Sequence, residues 1–489
     1  MNVLIIFPND YLSNGIPTGI ATLSAVLKEH GHHVNIFDYT FLKVKSLNIE
    51  KTGGISITLP TAYTIEDLVT KDPLVVIEEE LQKTIDMFNP GLILVSVMTG
   101  HVQNVIRLLK KVNLKGKIIF GGVHPTICPK ETLENDIVDF VCIGEGEELI
   151  IELAEALEKG KDYTTIRNLG YKKMGVTYIN DLRPLVNLDD LPTPDWGLFD
   201  HRHLFRPFMG EIYQGSFYVM SRGCPYRCSY CVNDSLRKTQ QNYGKYFRYQ
   251  SPFTTIKQLS ALKEKFGASW FKFADDSLGY FDIEYLEELA QGLKPLNIKF
   301  GCSIRPGSIN EEKVKLLKKM GIVAASVGVE SGNQFIRKNI LNRHMSDEQI
   351  INSIRLLTDY DVRISTFNLI GLPTETRFNV FETIRLNKKA GVRATNVYII
   401  YPYPGTAIYM KYKINIYDDH GEIIPVSQAS TFALSKMESK EVEGLLRTFE
   451  IYVRMPENYW EKIQMAEGED WKAVENRRLL EKYIIEKNW

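Results

Sequence analysis

Net charge is nearly absent from this chain: 59 lysines and arginines meet 60 aspartates and glutamates, a formal balance of −1. Without a basic excess there is no bulk electrostatic case for nucleic acid or an anionic membrane. No apolar run approaches the roughly 18 residues that a membrane span needs. The apolar opening Val-Leu-Ile-Ile-Phe (3–7) is short and has no basic leader, so it reads as a strand and not a signal peptide. Cysteine is scarce as well. Six in 489 residues cannot make a disulfide framework. A dinucleotide fingerprint is missing too, since the first turn reads Phe7-Pro8-Asn9-Asp10-Tyr11-Leu12-Ser13-Asn14-Gly15 with no Gly-x-Gly-x-x-Gly. No internal repeat and no low-complexity tract is visible.

What is present suits a globular protein of two or three domains. The chain is too long for one ordinary core, and 44% hydrophobic with 24% charged residues is a usual mixture. Residues 1–150 alternate buried-strand patterns (2–7, 34–39, 92–97, 117–122, 138–144) with helical ones, which predicts a parallel, doubly wound, Rossmann-like sheet. Residues 41–75 break the alternation and read as an insertion. Residues 151–210 hold a hairpin-like pair (168–173, 175–180) and read as a connector. From 211 to 410 six strand patterns recur, each but the last followed by a helical segment. Six are too few for a closed eight-stranded barrel, so an open partial barrel is expected. Residues 411–489 read as a small, mostly helical C-terminal domain.

Three cysteines, Cys224, Cys228 and Cys231, fall within eight residues in Ser-Arg-Gly-Cys-Pro-Tyr-Arg-Cys-Ser-Tyr-Cys (221–231). Three thiolates at this spacing suit three irons of a cubane, leaving the fourth iron open to a small chelating molecule. A zinc knuckle would need a fourth ligand, and no Cys or His pair follows. Clustered thiols of this kind imply a reducing, cytoplasmic setting. Cys128, Cys142 and Cys302 stand singly among apolar neighbours and read as packing residues. In the first block, Gly121 and Gly122 follow a strand and would let a bulky ligand approach the backbone. Ser96 and Thr99, after the third strand, offer hydroxyls at the same sheet edge, which is the expected crevice.

The Cys-x-x-x-Cys-x-x-Cys motif, with Tyr230 before its last cysteine, resembles the signature of radical S-adenosylmethionine enzymes. The resemblance continues along the chain. Phe-Ala-Asp-Asp-Ser (273–277) is similar to the motif for the methionine amino group, with Asp275 and Asp276 as candidates. Arg305 matches a residue near the cofactor, and Glu330 in Gly-Val-Glu-Ser-Gly matches one that meets the ribose hydroxyls. Tyr230 holds the position whose backbone meets the adenine. Residues 368–376 and 401–409 resemble the last-strand and exit motifs of the cobalamin-binding subgroup, although the stretch around Gly371 fits only loosely. The first 150 residues resemble that subgroup's cobalamin domain, with Ser96, Thr99, Gly121, Gly122 and Val123 as candidate contacts. The resemblance implies a [4Fe–4S] cluster, S-adenosylmethionine and cobalamin as cofactors, and an electron donor such as flavodoxin or ferredoxin.

The activity so implied is methylation of an unactivated carbon, or of phosphorus, in a small molecule or lipid. The alternative is a cobalamin-dependent rearrangement, ring closure or oxidation without methyl transfer. A third reading, tRNA methylthiolation, shares the layout. It calls for a second cysteine triad in the first domain and a basic C-terminal module, and residues 1–150 hold only Cys128 and Cys142. The substrate itself is not legible, because loops and the tail domain supply substrate contacts in such barrels.

Overall fold

The computed structural model describes residues 1–9, 15–42, 76–276 and 278–487. The insertion expected over 41–75 lies almost wholly outside them. Apolar runs become the parallel strands β1 (Asn2–Phe7), β2 (His33–Asp38), β3 (Leu92–Ser96), β4 (Lys117–Gly121) and β5 (Phe140–Cys142). Between them run helices α1 (Thr18–Glu29), α2 (Ile77–Phe88), α3 (Val102–Leu109), α4 (Val123–Ile127) and α5 (Pro129–Glu134), and α6 (Glu147–Glu158) follows β5. The hairpin placed in the connector is instead the edge of this sheet. Strands β6 (Leu169–Lys173) and β7 (Val176–Ile179) add antiparallel to β5, giving the order β2-β1-β3-β4-β5-β6-β7. Leu169, Gly170 and Tyr171 are buried there while β7 is mostly exposed. An antiparallel edge with one wet face is stable where a parallel one is not.

A short hairpin, β8 (Phe205–Phe208) with β9 (Glu211–Gln214), leads into the second sheet. That sheet has six parallel strands in the order β10 (Phe217–Tyr218), β13 (Trp270–Phe273), β14 (Lys299–Ile304), β15 (Ile322–Glu330), β16 (Arg363–Ile370) and β17 (Thr395–Ile399). Its end strands do not pair with each other, so the barrel is open, as expected. The first strand pattern of this block, Phe-Tyr-Val-Met-Ser, is split: the chain bends after Tyr218, and β11 (Ser221–Arg222) pairs antiparallel with β12 (Arg248–Tyr249). The bend starts the cysteine loop. Phe273 stacks on Phe300 at a centroid distance of 4.5 Å in the barrel core. Such pairs contribute roughly 0.5–1.5 kcal/mol beyond the area they bury.

The two sheets share one apolar core. Ile5, Leu149 and Leu153 of the first sheet lie in the same cluster as Leu259, Phe271 and Phe273 of the barrel. The C-terminal region is mostly helical, as expected. Helix Ser439–Arg454 packs Phe449, Tyr452 and Val453 against Ile370, Val380 and Ile384 of the barrel's outer layer.

Candidate functional site

The carboxyl edge of the first sheet faces the mouth of the barrel across a cavity of about 430 Å³. Ser96, Gly121, Gly122 and Val123 line it from the first sheet; Ser221, Arg222, Gly223, Asn233 and Asp276 line it from the barrel. Thr99 does not. The chain tightens into a turn at 99–101, and the Thr99 hydroxyl lies 3.2 Å from His124 Nδ1, away from the cavity. Gly122 has φ +102, and a Cβ there would meet Val97 O at 2.8 Å, so the turn itself demands glycine. Gly121 differs: a Cβ would meet only Cys142 Cβ, at an ordinary 3.5 Å. Its bare backbone serves the space in front of it, which fits a bulky, flat ligand such as cobalamin.

Buried charges close the junction. Arg222 Nη1 donates to Glu145 Oε1 at 2.9 Å, and Arg222 Nη2 donates to Glu147 Oε1. Arg248 Nη2 also donates to Glu145, whose Oε2 accepts the Val186 N–H at 2.9 Å. Burial by itself would raise the Glu147 carboxyl; Arg222 outweighs it and holds the group below its ordinary value. These acids, from the Gly-Glu-Gly-Glu-Glu segment that leads into α6, were not singled out from sequence. Their only signal was their place at a strand's carboxyl end.

The cysteine loop leaves the barrel between β11 and helix α7 (Val232–Gln240). Gly223 turns it with φ +82, where a Cβ would lie 2.5 Å from Tyr246 O. Among the described residues, only His124, Cys128 and Glu131 bring three ligand atoms within 4.8 Å of one another. The Cys224, Cys228 and Cys231 sulfurs do not all lie that close together, whereas two thiolates on one tetrahedral zinc sit ~3.8 Å apart, so the triad is not set for a single ion. Burial pushes the Cys224 thiol up to about 12 and Cys231 to about 11, so they ionise only beside a cation. Two arginines address the third sulfur: Arg305 Nη1 donates to Cys228 Sγ at 3.3 Å and Arg343 Nη1 at 3.8 Å. Arg305 also stacks on the Tyr226 ring at 3.9 Å.

Arg343 is the residue that sequence reasoning missed. It is buried, donates to Gly328 O at 2.5 Å and Tyr230 Oη at 3.2 Å, and lies 3.6 Å from Glu330. It lies past the end of β15 and outside the Gly-Val-Glu-Ser-Gly motif, so nothing in the sequence marked it. Glu330 ends β15 with φ +63, a conformation costly for a residue with a side chain. Burial raises its carboxyl, and Arg343 offsets part of that rise.

The two aspartates divide. Asp275 Oδ1 accepts from the Met220 and Ser221 backbone at 3.1 and 2.7 Å and from Ser221 Oγ at 2.5 Å. It ties β13 to the start of the cysteine loop, and burial raises it to about 7. Asp276 instead opens onto the cavity. Asp275 Oδ2, Arg343 Nε and Glu147 Oε2 are buried without a protein partner among the described residues. Groups of this kind around a cysteine loop suit a polar ligand with amine, carboxylate and hydroxyl groups.

Comparison with known proteins gives the same order of domains. The B12 binding domain profile matches residues 9–154 and the Radical SAM superfamily profile residues 218–387. An uncharacterized methyltransferase of Pyrococcus horikoshii is 27% identical over 403 residues, 81% of this chain and 78% of its own. The anaerobic magnesium-protoporphyrin IX monomethyl ester cyclase of Rubrivivax gelatinosus is 23% identical over 440 residues, 86% of this chain and 71% of its own. The radical S-adenosylmethionine methyltransferase TsrM of Kitasatospora setae, solved with cobalamin and a [4Fe–4S] cluster, shares the fold over 99% of both chains, with a TM-score of 0.66 at 14% identity. Among the described residues no helix is long and apolar enough to cross a membrane. With a B12 binding domain in front of a radical S-adenosylmethionine barrel, and a cavity between them, this chain belongs to the cobalamin-binding radical S-adenosylmethionine enzymes, whose cofactors are a [4Fe–4S] cluster, S-adenosylmethionine and cobalamin.

Proposed function

We propose that this enzyme methylates an unactivated carbon, or phosphorus, of a small molecule or lipid. The observation that carries the reading is the single cavity walled by both Gly121 and Asp276, which gives the two cofactor chemistries one meeting place. When bound, the cluster with S-adenosylmethionine supplies a carbon radical and cobalamin supplies a methyl group. Cys224, Cys228 and Cys231 hold the cluster. Asp276 accepts from the methionine ammonium, Glu330 from the ribose hydroxyls, and the Tyr230 backbone borders the adenine. Arg305 and Arg343 keep positive charge on Cys228. Ser96, Gly121, Gly122 and Val123 border cobalamin. The Arg222, Glu145 and Glu147 pairs hold the two walls together and keep water from the junction, so that a radical meets only its substrate. The electrons that each turnover consumes enter from a small donor protein such as flavodoxin or ferredoxin.

A second reading is ring closure or oxidation without methyl transfer, and the 23% identity to the cyclase over most of this chain favours it. S-adenosylmethionine with a deuterated methyl group, given with reduced enzyme to cell extract, separates the two. Deuterium in a new product supports methylation. Formation of 5′-deoxyadenosine with an unlabelled new product supports the second reading instead.

A further inference from the structure

We infer that His124, Cys128 and Glu131 form a binding site for one divalent cation of the zinc class, outside the junction cavity. Their ligand atoms all lie within 4.8 Å of one another. The sequence brings them together locally. His124 and Cys128 are four residues apart across α4, with the Cys128 N–H donating to His124 O at 2.8 Å, so both side chains leave the same face. Pro129 then opens α5 and returns Glu131 within its first turn. His124 Nε2 lies 3.9 Å from Glu131 Oε1. Two such ligands on a tetrahedral zinc sit about 3.3–3.5 Å apart, so this pair needs to close by only about half an ångström.

The surroundings suit a metal. His124 is buried, and its Nδ1 lies 3.2 Å from Thr99 Oγ1. With its proton on Nδ1 donated to Thr99, Nε2 presents its lone pair to the other two ligands, the arrangement that orients a metal-binding imidazole. A neutral imidazole, a thiolate and a carboxylate sum to a charge of −2, which a divalent cation cancels. A thiolate with an imidazole selects zinc over magnesium or calcium. The Glu131 side chain is 37% exposed, which gives the ion a way in. Tyr417 borders Glu131 and Cys128, so the fourth position is open to that phenol or to water. The opposite side of α4 carries Val123 and Thr126 of the cavity wall. A cation here would clamp that wall to α5 and to the C-terminal segment around Tyr417.

The test uses the full chain loaded with iron and cobalamin, equilibrated with zinc sulfate alone and freed of excess by gel filtration. The expected result is about one zinc per chain, with a single sulfur among its ligands by zinc-edge X-ray absorption. Cys128→Ser should remove that sulfur and weaken zinc binding by more than the about tenfold that loss of an outer partner costs. Glu131→Gln, at a partly exposed side chain, should also weaken it and serves if Cys128→Ser misfolds by circular dichroism. A chain with Cys224, Cys228 and Cys231 all changed to Ala should keep the zinc. No zinc on the unmodified chain overturns the inference. So does zinc that survives Cys128→Ser and Glu131→Gln but vanishes with the triad.

Discussion

Arg222 Nη1 and Glu145 Oε1 meet at 2.9 Å across the junction of the two sheets, two residues before Cys224. The same guanidinium also reaches Glu147, so one side chain from the cysteine loop joins two acids of the cobalamin domain. Arg222→Ala leaves Glu147 buried and without its hydrogen-bonded cation, while Arg248 still serves Glu145 and acts on Glu147 only through space. The expected cost is about 3–5 kcal/mol, the range for breaking a buried pair from one side. Urea unfolding at neutral pH measures it, and cobalamin retention after gel filtration should fall in parallel. The pH dependence has a definite sign. Arg222 depresses the folded-state Glu147 pKa. Its stabilisation is therefore present above the ordinary carboxylate range and is lost as pH falls through the depressed value. The difference between the unmodified chain and Arg222→Ala should shrink in acid. A constant difference from pH 7 to pH 3 would mean that Arg222 acts by packing alone.

Asp275 and Asp276 are neighbours with separable roles. Asp275→Ala removes the acceptor that holds the Met220 and Ser221 backbone, so iron content should fall along with S-adenosylmethionine binding. Asp276→Asn and Glu330→Gln should leave iron unchanged. Each should weaken S-adenosylmethionine binding by roughly 1.5–3 kcal/mol, the range for hydrogen bonds to charged groups. Iron analysis beside equilibrium dialysis separates these outcomes. Unchanged affinity in both variants would remove Asp276 and Glu330 from the binding site.

Arg343 places a buried positive charge 3.8 Å from Cys228 Sγ. Adding an electron to a cluster on that thiolate is easier beside a cation. Arg343→Met removes the charge and keeps much of the length. The cluster's reduction potential should become more negative, while iron content stays near that of the unmodified chain. A redox titration followed by electron paramagnetic resonance reads this directly. An unchanged potential would leave Arg343 as a structural partner of Glu330 and Gly328 O.

Much of this architecture was legible because it rests on periodicity and on one motif. The alternating strands and helices gave both sheets, and Cys224, Cys228 and Cys231 marked the cluster loop. Several features were not legible, each for a physical reason. The hairpin at 169–179 reads as a free pair, since its docking on β5 depends on burial of Leu169 and Tyr171 by distant residues. Thr99 has the right spacing for the sheet edge, but a single tight turn rotates it to His124. Arg343 acts through distance in space, and no local pattern announces a guanidinium that reaches Cys228 from 115 residues away. Asp275 and Asp276 look alike in sequence and differ only in which one the end of β13 turns inward.

Cobalamin should bind with its own base displaced and with no protein imidazole on the lower face of cobalt. A methionine-synthase-type domain supplies that ligand from an Asp-x-His-x-x-Gly loop after the first strand. The corresponding loop here, Phe7 to Gly15, holds no histidine, although residues 10–14 lie outside those described. Among the described residues no histidine lines the cavity. His203 is the histidine bonded to that loop, and both of its ring nitrogens are engaged: Nδ1 accepts the Gly15 N–H at 2.9 Å and Nε2 lies 2.6 Å from Asp38. His124 is turned toward Thr99. His33 starts β2 at the opposite edge of the sheet, with His30 and His32 just before it. With no histidine lining the cavity, water or nothing is expected at the axial position. Weak axial donation should favour reduction of cobalt to its nucleophilic Co(I) state. Electron paramagnetic resonance of the bound Co(II) form should show cobalt lines without nitrogen splitting. An axial nitrogen would divide each line into three. Such splitting, lost in either His124→Ala or His203→Ala, would identify a protein imidazole on cobalt and overturn this expectation.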